Sequence, residues 1–495
     1  MGRTPTLTYD RGTLILHPPP RGKGWIDFAQ WDDRIEKFRI PAQQYRALVE
    51  VLKEEGTSFN DKTQTFHPLA LSPKRSMEPY PHQQEALQAW KGNNRQGVIV
   101  LPTASGKTYL AQMAMQATPR PTLVTVPTLD LMHQWFAHLE AAFPEVEVGL
   151  LGGGSKDRSP ILVATYDSAA IHAESLGNLY ALLICDECHH LPSDFNRVIA
   201  EYAIAPYRLG LTATPDRADG RHEDLTQLLG PVVYQKSAAD LSGHALAPFQ
   251  IVQIKVKLSD AERTRYDGLI QQRNQFLQEG NIWLGSAQGW HRFVRASAKS
   301  QAGRRAMLAH REAKTIALGT EGKLRVLEEL LAQHHPERTI IFTNDNATVY
   351  RISETFLIPA ITHQTPVKER HAILQAFRNG DYPCLVVSHV LNEGVDVPEA
   401  RVAILLSGSG STREYVQRLG RVLRKGTGNK LALLYEVVAE QTTEENISNR
   451  RRKATKSKPS PDRQLELVPV KPVYDVEEIP PPRAAESDED PYLKS

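Results

Sequence analysis

"ALLICDECHH", Ala181 to His190, supports two different proteins depending on which side chains are read first. Cys185, Cys188, His189 and His190 have the chemistry of zinc ligands, and a structural zinc would draw all four to one side of the chain. The other reading starts from Leu182, Leu183, Ile184 and Cys185, an apolar run of the kind that forms a buried parallel strand, here ending in the carboxylates of Asp186 and Glu187. A zinc centre needs further ligands at short spacing. The sequence holds three cysteines, Cys384 stands alone far along the chain, and no second CxxC or HxxxH pair completes a cluster. Cys185 and Cys188 are read as small buried residues, and no zinc is expected.

The strand reading gains weight upstream. In "GVIVLPTASGKTYLAQMAM", Gly97 to Met115, an apolar strand runs into Gly106, Lys107 and Thr108 and then into a helical pattern. Backbone N–H groups of such a loop and of the helix that follows cradle phosphates, a lysine reaches the β and γ phosphates, and the hydroxyl holds magnesium. The candidate cradle is Pro102, Thr103, Ala104, Ser105, Gly106, Lys107 and Thr108. The full phosphate-loop pattern has a glycine at the place of Leu101. An ATPase built this way needs a second strand ending in an acid to position magnesium, the role of Asp186 beside Thr108. Glu187 would then orient and deprotonate the attacking water. ATP and Mg2+ are the expected cofactors.

The totals set outer bounds. A chain of 495 residues is long for one core and points to two or three domains. With a formal charge of +2, any nucleic-acid surface must come from local clustering. The cysteine count fits a reducing compartment, the first residues lack the apolar run of a signal peptide, and no segment approaches the length of a membrane span. A cytoplasmic protein without membrane contact is expected. Periodicity divides the chain into a small α/β domain (1–75), a strand-loop-helix unit of the doubly wound kind (76–240), an Arg- and Gln-rich helical insert (241–319), a second such unit (320–440) and a tail (441–495). The tail carries "NRRRKATKSK" and Pro-rich, acidic stretches and is expected to be disordered.

With both elements in place, the span from Tyr80 to Tyr435 resembles a superfamily 2 DNA helicase of the XPB type, the DExH-box excision-repair helicases. "PHQQEAL" resembles the adenine-side motif, with Gln83 as its reader of the base. "VPTLDLMHQW" and "VATYDSA" resemble the first-lobe motifs that line the nucleic-acid groove, and His189 is the histidine of the DExH form. The helicase version of the phosphate loop has a glycine where Ala104 stands. "RLGLTATP" supplies Thr212 and Thr214 of the hinge motif, which couples hydrolysis to lobe movement. The Arg-Glu-Asp triplet implicated in unwinding becomes Arg217, Ala218 and Asp219, without its middle acid.

"IIFTND", "NEGVDVP" and "REYVQRLGRVLR" follow in family order. They bring Asp396 and Gln417 to the nucleotide cleft and Arg421 and Arg424 as arginine fingers. The resemblance implies two RecA-like parallel-sheet lobes with a thumb-like helical insert, 3′ to 5′ polarity, a role in nucleotide excision repair, and DNA, single-stranded or forked, as partner. A repair nuclease partner and, in a prokaryote, association with the nucleoid are implied with it. A duplex translocase that never separates strands and an RNA helicase remain alternatives. In the thumb, Trp290, Arg292 and Phe293 are candidate DNA contacts. Equally open is a core role for those aromatics with solvated arginines around them.

Overall fold

Alternating apolar residues bury Leu7, Leu14, Leu16 and Ile40 on one face of a small sheet. In the computed structural model its strands are β1 (Thr6–Asp10), β2 (Thr13–His17), β3 (Gln30–Asp32), β4 (Lys37–Pro41) and β5 (Asn60–Asp61), in the order β3-β4-β2-β1-β5. Arg11 and Gly12, both at positive φ (48° and 85°), form the tight turn of the β1–β2 hairpin. Helix Tyr45–Glu54 closes this core with Tyr45, Leu48 and Leu52. The structure describes residues 4–64, 66–73, 78–214, 220–241, 249–284, 287–388, 400–407 and 432–455. Arg217, Asp219, Asp396, Gln417, Arg421 and Arg424 lie outside the described residues. The described residues divide between two compact units, one ending at Leu241 and one beginning at Phe249.

The rest of the first unit is a sheet of β6 (Gln96–Val100), β7 (Thr122–Val126), β8 (Val148–Gly152), β9 (Ser155–Lys156), β10 (Ile161–Thr165), β11 (Leu182–Asp186), β12 (Tyr207–Thr212) and β13 (Val232–Gln235). Its order is β13-β6-β12-β11-β7-β10-β8-β9, parallel except for the short return of β9 along β8. Every residue of β7, β10 and β11 is buried, as continuous apolar runs in a parallel sheet covered on both faces require. Register sets Thr212 beside Val100 and Asp186 beside Leu211, so the carboxyl ends of β6, β12 and β11 lie side by side. Ligands of open α/β sheets sit outside such carboxyl ends.

The second unit is a parallel sheet of β14 (Phe249–Val256), β15 (Thr339–Phe342), β16 (Ala360–Ile361), β17 (Cys384–Val387), β18 (Val402–Leu405) and β19 (Ala432–Ala439), in the order β14-β19-β18-β15-β17-β16. The helical insert is three helices, Asp260–Glu279, Ala287–Lys299 and Gln301–Gly319. Two boundaries differ from the sequence reading. Residues 249–256, assigned there to the insert, are an edge strand paired along its whole length with β19. Helix Thr443–Thr455 falls in what was read as the start of a disordered tail, and is pinned by the buried Lys323–Glu444 ion pair at 2.6 Å.

Candidate nucleotide site

Val100 ends β6, and residues 101–106 turn the chain into helix Lys107–Ala117. The turn needs two left-handed residues, Ala104 at φ 65° and Gly106 at φ 81°. Glycine adopts that conformation freely, whereas an L side chain there costs about 1–2 kcal/mol, so Ala104 carries strain where related loops have glycine. Ser105 Oγ donates to the Pro102 carbonyl at 2.8 Å, and Lys107 Nζ reaches the Leu101 carbonyl at 3.1 Å. Gln83 braces the loop from helix Pro81–Gly92: its Nε2 donates to the carbonyls of Ser105 and Gly106, both at 3.3 Å, and its Oε1 accepts from the Tyr80 N–H at 2.9 Å. His82 Nε2 sits 2.9 Å from the same Ser105 carbonyl. A Cβ on Gly106 would lie 2.3 Å from Gln83 Nε2. The cradle is closed on that side by the glutamine.

One strand over from β12, Asp186 ends β11 almost fully buried. Its Oδ1 accepts the Glu187 N–H at 3.0 Å and its Oδ2 the indole N–H of Trp135 at 2.8 Å. Burial pushes its pKa up, to about 6, with the Glu187 carboxylate adding to the rise and the Lys107 ammonium opposing it. Glu187 takes a left-handed backbone, φ 47°, which turns the chain sharply after Asp186. Its Oε2 lies 3.4 Å from Thr212 Oγ1 and 3.4 Å from His189 Nδ1, and that nitrogen is 3.1 Å from the threonine hydroxyl. Thr214 joins through its N–H, which donates to Thr212 Oγ1 at 3.2 Å. Lys107, Asp186, Glu187, His189, Thr212 and Thr214 thus meet at one end of one sheet.

Buried oxygen donors on Asp186, with the Thr108 hydroxyl at the head of the phosphate-loop helix, fit a hard divalent cation. A loop bent by two left-handed residues and running into a helix N-terminus fits a polyphosphate. Cys185 and Cys188 are different: both sulfurs belong to the apolar core with Val98, Leu183 and Leu229, and burial pushes the Cys185 thiol up to about 12 and Cys188 well above its ordinary value. Among the described residues no three His, Cys, Asp or Glu side chains group as metal ligands.

Two residues of this site carry roles that their motifs did not announce. Trp135 ends "VPTLDLMHQW", and Tyr166, in "VATYDSA", is buried with its hydroxyl donating to the Asp186 carbonyl at 2.9 Å. Burial pushes the tyrosine well above its ordinary value, so it stays a neutral donor. The available signal was an aromatic residue with a polar tip on a buried face, which needs an acceptor nearby.

Comparison with known proteins agrees with this geometry. The model of the xeroderma pigmentosum group B helicase damage recognition domain matches residues 7–63, the type III restriction enzyme res subunit model 76–217, and the helicase conserved C-terminal domain model 322–426. The DNA 3′-5′ translocase XPB2 of Sulfurisphaera tokodaii is 41% identical over 86% of this chain and 95% of its own. The chain belongs to the XPB family. The DNA 3′-5′ helicase XPB of Kineococcus radiotolerans is 32% identical over 75% of this XPB-family chain and 62% of its own. Among solved structures, the Hef helicase domain of Pyrococcus furiosus superposes with TM-score 0.51 over 75% of this chain and 98% of that one, at 19% identity, a likeness of fold.

In this XPB-family chain the small β1–β5 domain is the part matched as damage recognition domain. The three-helix insert decides between the two readings left open for Phe293. Phe293 is fully buried with Leu277 and Ala306, so it is a core residue and offers no face to a base. Trp290, 40% exposed, packs its ring edge on Phe293, 5.8 Å between centroids, and Arg292 is exposed. Trp283, 73% exposed, is the most open aromatic of the described residues and is not among the DNA-contact candidates read from the sequence. No described helix is long and apolar enough to cross a membrane.

Proposed function

We propose that the chain is an ATP-dependent DNA helicase or translocase of 3′ to 5′ polarity acting in DNA repair, with Glu187 as the base that activates water. The reading rests on one observation above the others. With His189 protonated at Nδ1, the single proton of the Thr212 hydroxyl has two acceptors within reach, Glu187 Oε2 at 3.4 Å and the Thr214 carbonyl at 3.1 Å. A hydroxyl bonded to the carboxylate orients the base, and one turned to Thr214 bonds the backbone that follows β12. The proton's position links the state of the nucleotide to the backbone at Thr214, which is what a motor needs.

In this mechanism Lys107 and the N–H groups of the loop bind the phosphates, and Gln83 holds the loop carbonyls of Ser105 and Gly106 so that its N–H groups face inward. Mg2+, bound with ATP at Thr108 and Asp186, would neutralise charge on the β and γ phosphates. Glu187 takes the proton of the attacking water at Oε1, while His189 and Thr212 hold Oε2. Arg421 and Arg424 belong to the proposal as fingers that stabilise developing charge. DNA as substrate, a repair nuclease as companion and a cytoplasmic location, at the nucleoid in a prokaryote, belong to the proposal.

ATP hydrolysis by the wild type and Glu187→Gln, without polymer and with single-stranded DNA, duplex DNA or RNA, tests the proposal. Wild-type turnover should rise with DNA and less with RNA. Glu187→Gln should keep nucleotide affinity and lose turnover by roughly 100-fold or more, since general-base catalysis contributes on that order. Turnover indifferent to every polymer, or undiminished in the glutamine variant, would refute it.

A further inference from the structure

We propose that Trp135 is a positioning residue of the ATPase: its indole N–H fixes the Asp186 carboxylate and ties its orientation to helix Leu129–Ala142. Two donors set the plane of that carboxylate, the Glu187 backbone at Oδ1 (3.0 Å) and Trp135 Nε1 at Oδ2 (2.8 Å). The backbone donor is fixed by the turn at Glu187, so the indole is the side-chain control on the carboxylate's rotation. A carboxylate has about four lone-pair sites, so both oxygens keep acceptor capacity for a cation or its water. The chemical type of the donor matters. A lysine or arginine here would pair with Asp186 and compete with a dication for its charge. An indole is neutral, donates one proton and accepts none. It orients the carboxylate and leaves its charge available.

Trp135 is 1% exposed and lies on the buried face of its helix with Met132 and Leu139, so it has no freedom to follow the carboxylate. The helix starts from the Thr128 cap, whose Oγ1 accepts the Leu131 N–H at 3.3 Å, and presents Leu129 45% exposed at that end. Displacement of the helix at its open end is carried to Asp186 through a buried hydrogen bond. On the DNA-motor reading above, on which this second step rests, nucleic acid against that end acts on the metal position through Trp135.

Trp135→Phe in the full chain removes the N–H and keeps an aromatic ring. Trp90→Phe is the control, because Trp90 is equally buried in the same lobe and also spends its N–H on a buried oxygen, the Arg208 carbonyl at 2.9 Å. The first readout is binding of a fluorescent non-hydrolysable ATP analogue titrated with Mg2+. Trp135→Phe should match the wild type without Mg2+ and need roughly 10- to 100-fold more Mg2+ for the metal-dependent gain, the usual effect of losing a partner of a metal ligand. Trp90→Phe should titrate like the wild type. The second readout is hydrolysis with and without DNA, where Trp135→Phe should lose most of the DNA stimulation. An unchanged Mg2+ midpoint in Trp135→Phe, or the same shift in Trp90→Phe, overturns the proposal. A wild type without DNA stimulation sinks the DNA-motor reading, while the Mg2+ titration still decides the role of Trp135. Should the Phe variant not fold, 3-benzothienylalanine at position 135, which has the indole's shape with sulfur for N–H, carries the same titration and the same two outcomes.

Discussion

At the scale of single residues, the site is set by backbone conformations that side chains either permit or resist. Gly106 combines φ 81° with a Gln83 amide where its Cβ would stand. Gly106→Ala therefore pays twice, about 1–2 kcal/mol for the left-handed backbone and the loss of the Gln83 brace. Nucleotide affinity should fall by an order of magnitude or more. Adding Gln83→Ala to Gly106→Ala removes the clash and leaves the strain, so affinity measured by titration should not return to the wild-type value. Gly106, Lys107, Asp186 and Glu187 were legible because loop, lysine and paired acids keep their chemical types at fixed spacing between a strand and a helix. Trp135 and Tyr166 were less so, since their roles depend on which helix face turns toward β11. Phe293 stayed open between core and DNA contact for the same reason: an aromatic among arginines looks the same in sequence whether its ring faces the core or solvent.

At the scale of elements, apolar periodicity marked both units as parallel sheets, gave β14 to the helical insert and missed helix Thr443–Thr455. That helix is held by polar anchors. Lys323 Nζ contacts both Glu444 oxygens, at 2.6 and 2.8 Å, and the Leu406 carbonyl at 2.7 Å; Ser448 Oγ accepts from Gln253 Nε2 at 3.0 Å; and Lys255 pairs with Glu445 at 2.6 Å. No hydrophobic stripe advertises such an element. Glu444→Gln leaves a buried ammonium uncompensated and should destabilise the second unit by about 3–5 kcal/mol, read from urea unfolding. The three-helix insert holds a titrating group of the opposite kind. Burial, reinforced by Arg273, Lys314 and Arg311, lowers His310 from 6.5 to about 4. Between those values the unfolded chain takes up a proton that the folded chain does not, so stability is full above pH 6.5 and declines as the pH falls toward 4. Thermal melts of His310→Phe across that window should show a shallower decline than the wild type; an identical slope would remove His310 as its source.

Over the whole molecule, the small N-terminal sheet and the first lobe are one built body, although composition and periodicity separated them. Ile204, from the loop before β12, completes the core of the small domain. The Tyr9 hydroxyl has the carbonyls of Tyr202 (3.0 Å) and Glu174 (3.1 Å) within reach of its one proton, Arg46 donates to those of Asn94 (2.6 Å) and Pro206 (3.2 Å), and Asn178 to that of Thr63 (3.0 Å). Arg208, buried without a carboxylate, holds the same loop by its Ala203 and Ala205 carbonyls, and burial lowers it to about 10. Backbone carbonyls receive most of these bonds, which is why residue types gave no hint of the interface. Gly177 is its tightest point, since a Cβ there would lie 2.1 Å from both the Tyr202 carbonyl and the Tyr9 hydroxyl. Gly177→Ala should cost about 1–3 kcal/mol by overpacking and loosen the docked domain. A specific protease site introduced at residues 74–77 would let the chain be nicked between the domain and the lobe. The nicked wild type should then elute from a sizing column as one particle, and nicked Gly177→Ala should release the N-terminal fragment. Co-elution of both variants would mean that the remaining carbonyl bonds and Ile204 hold the domain without the close approach at Gly177.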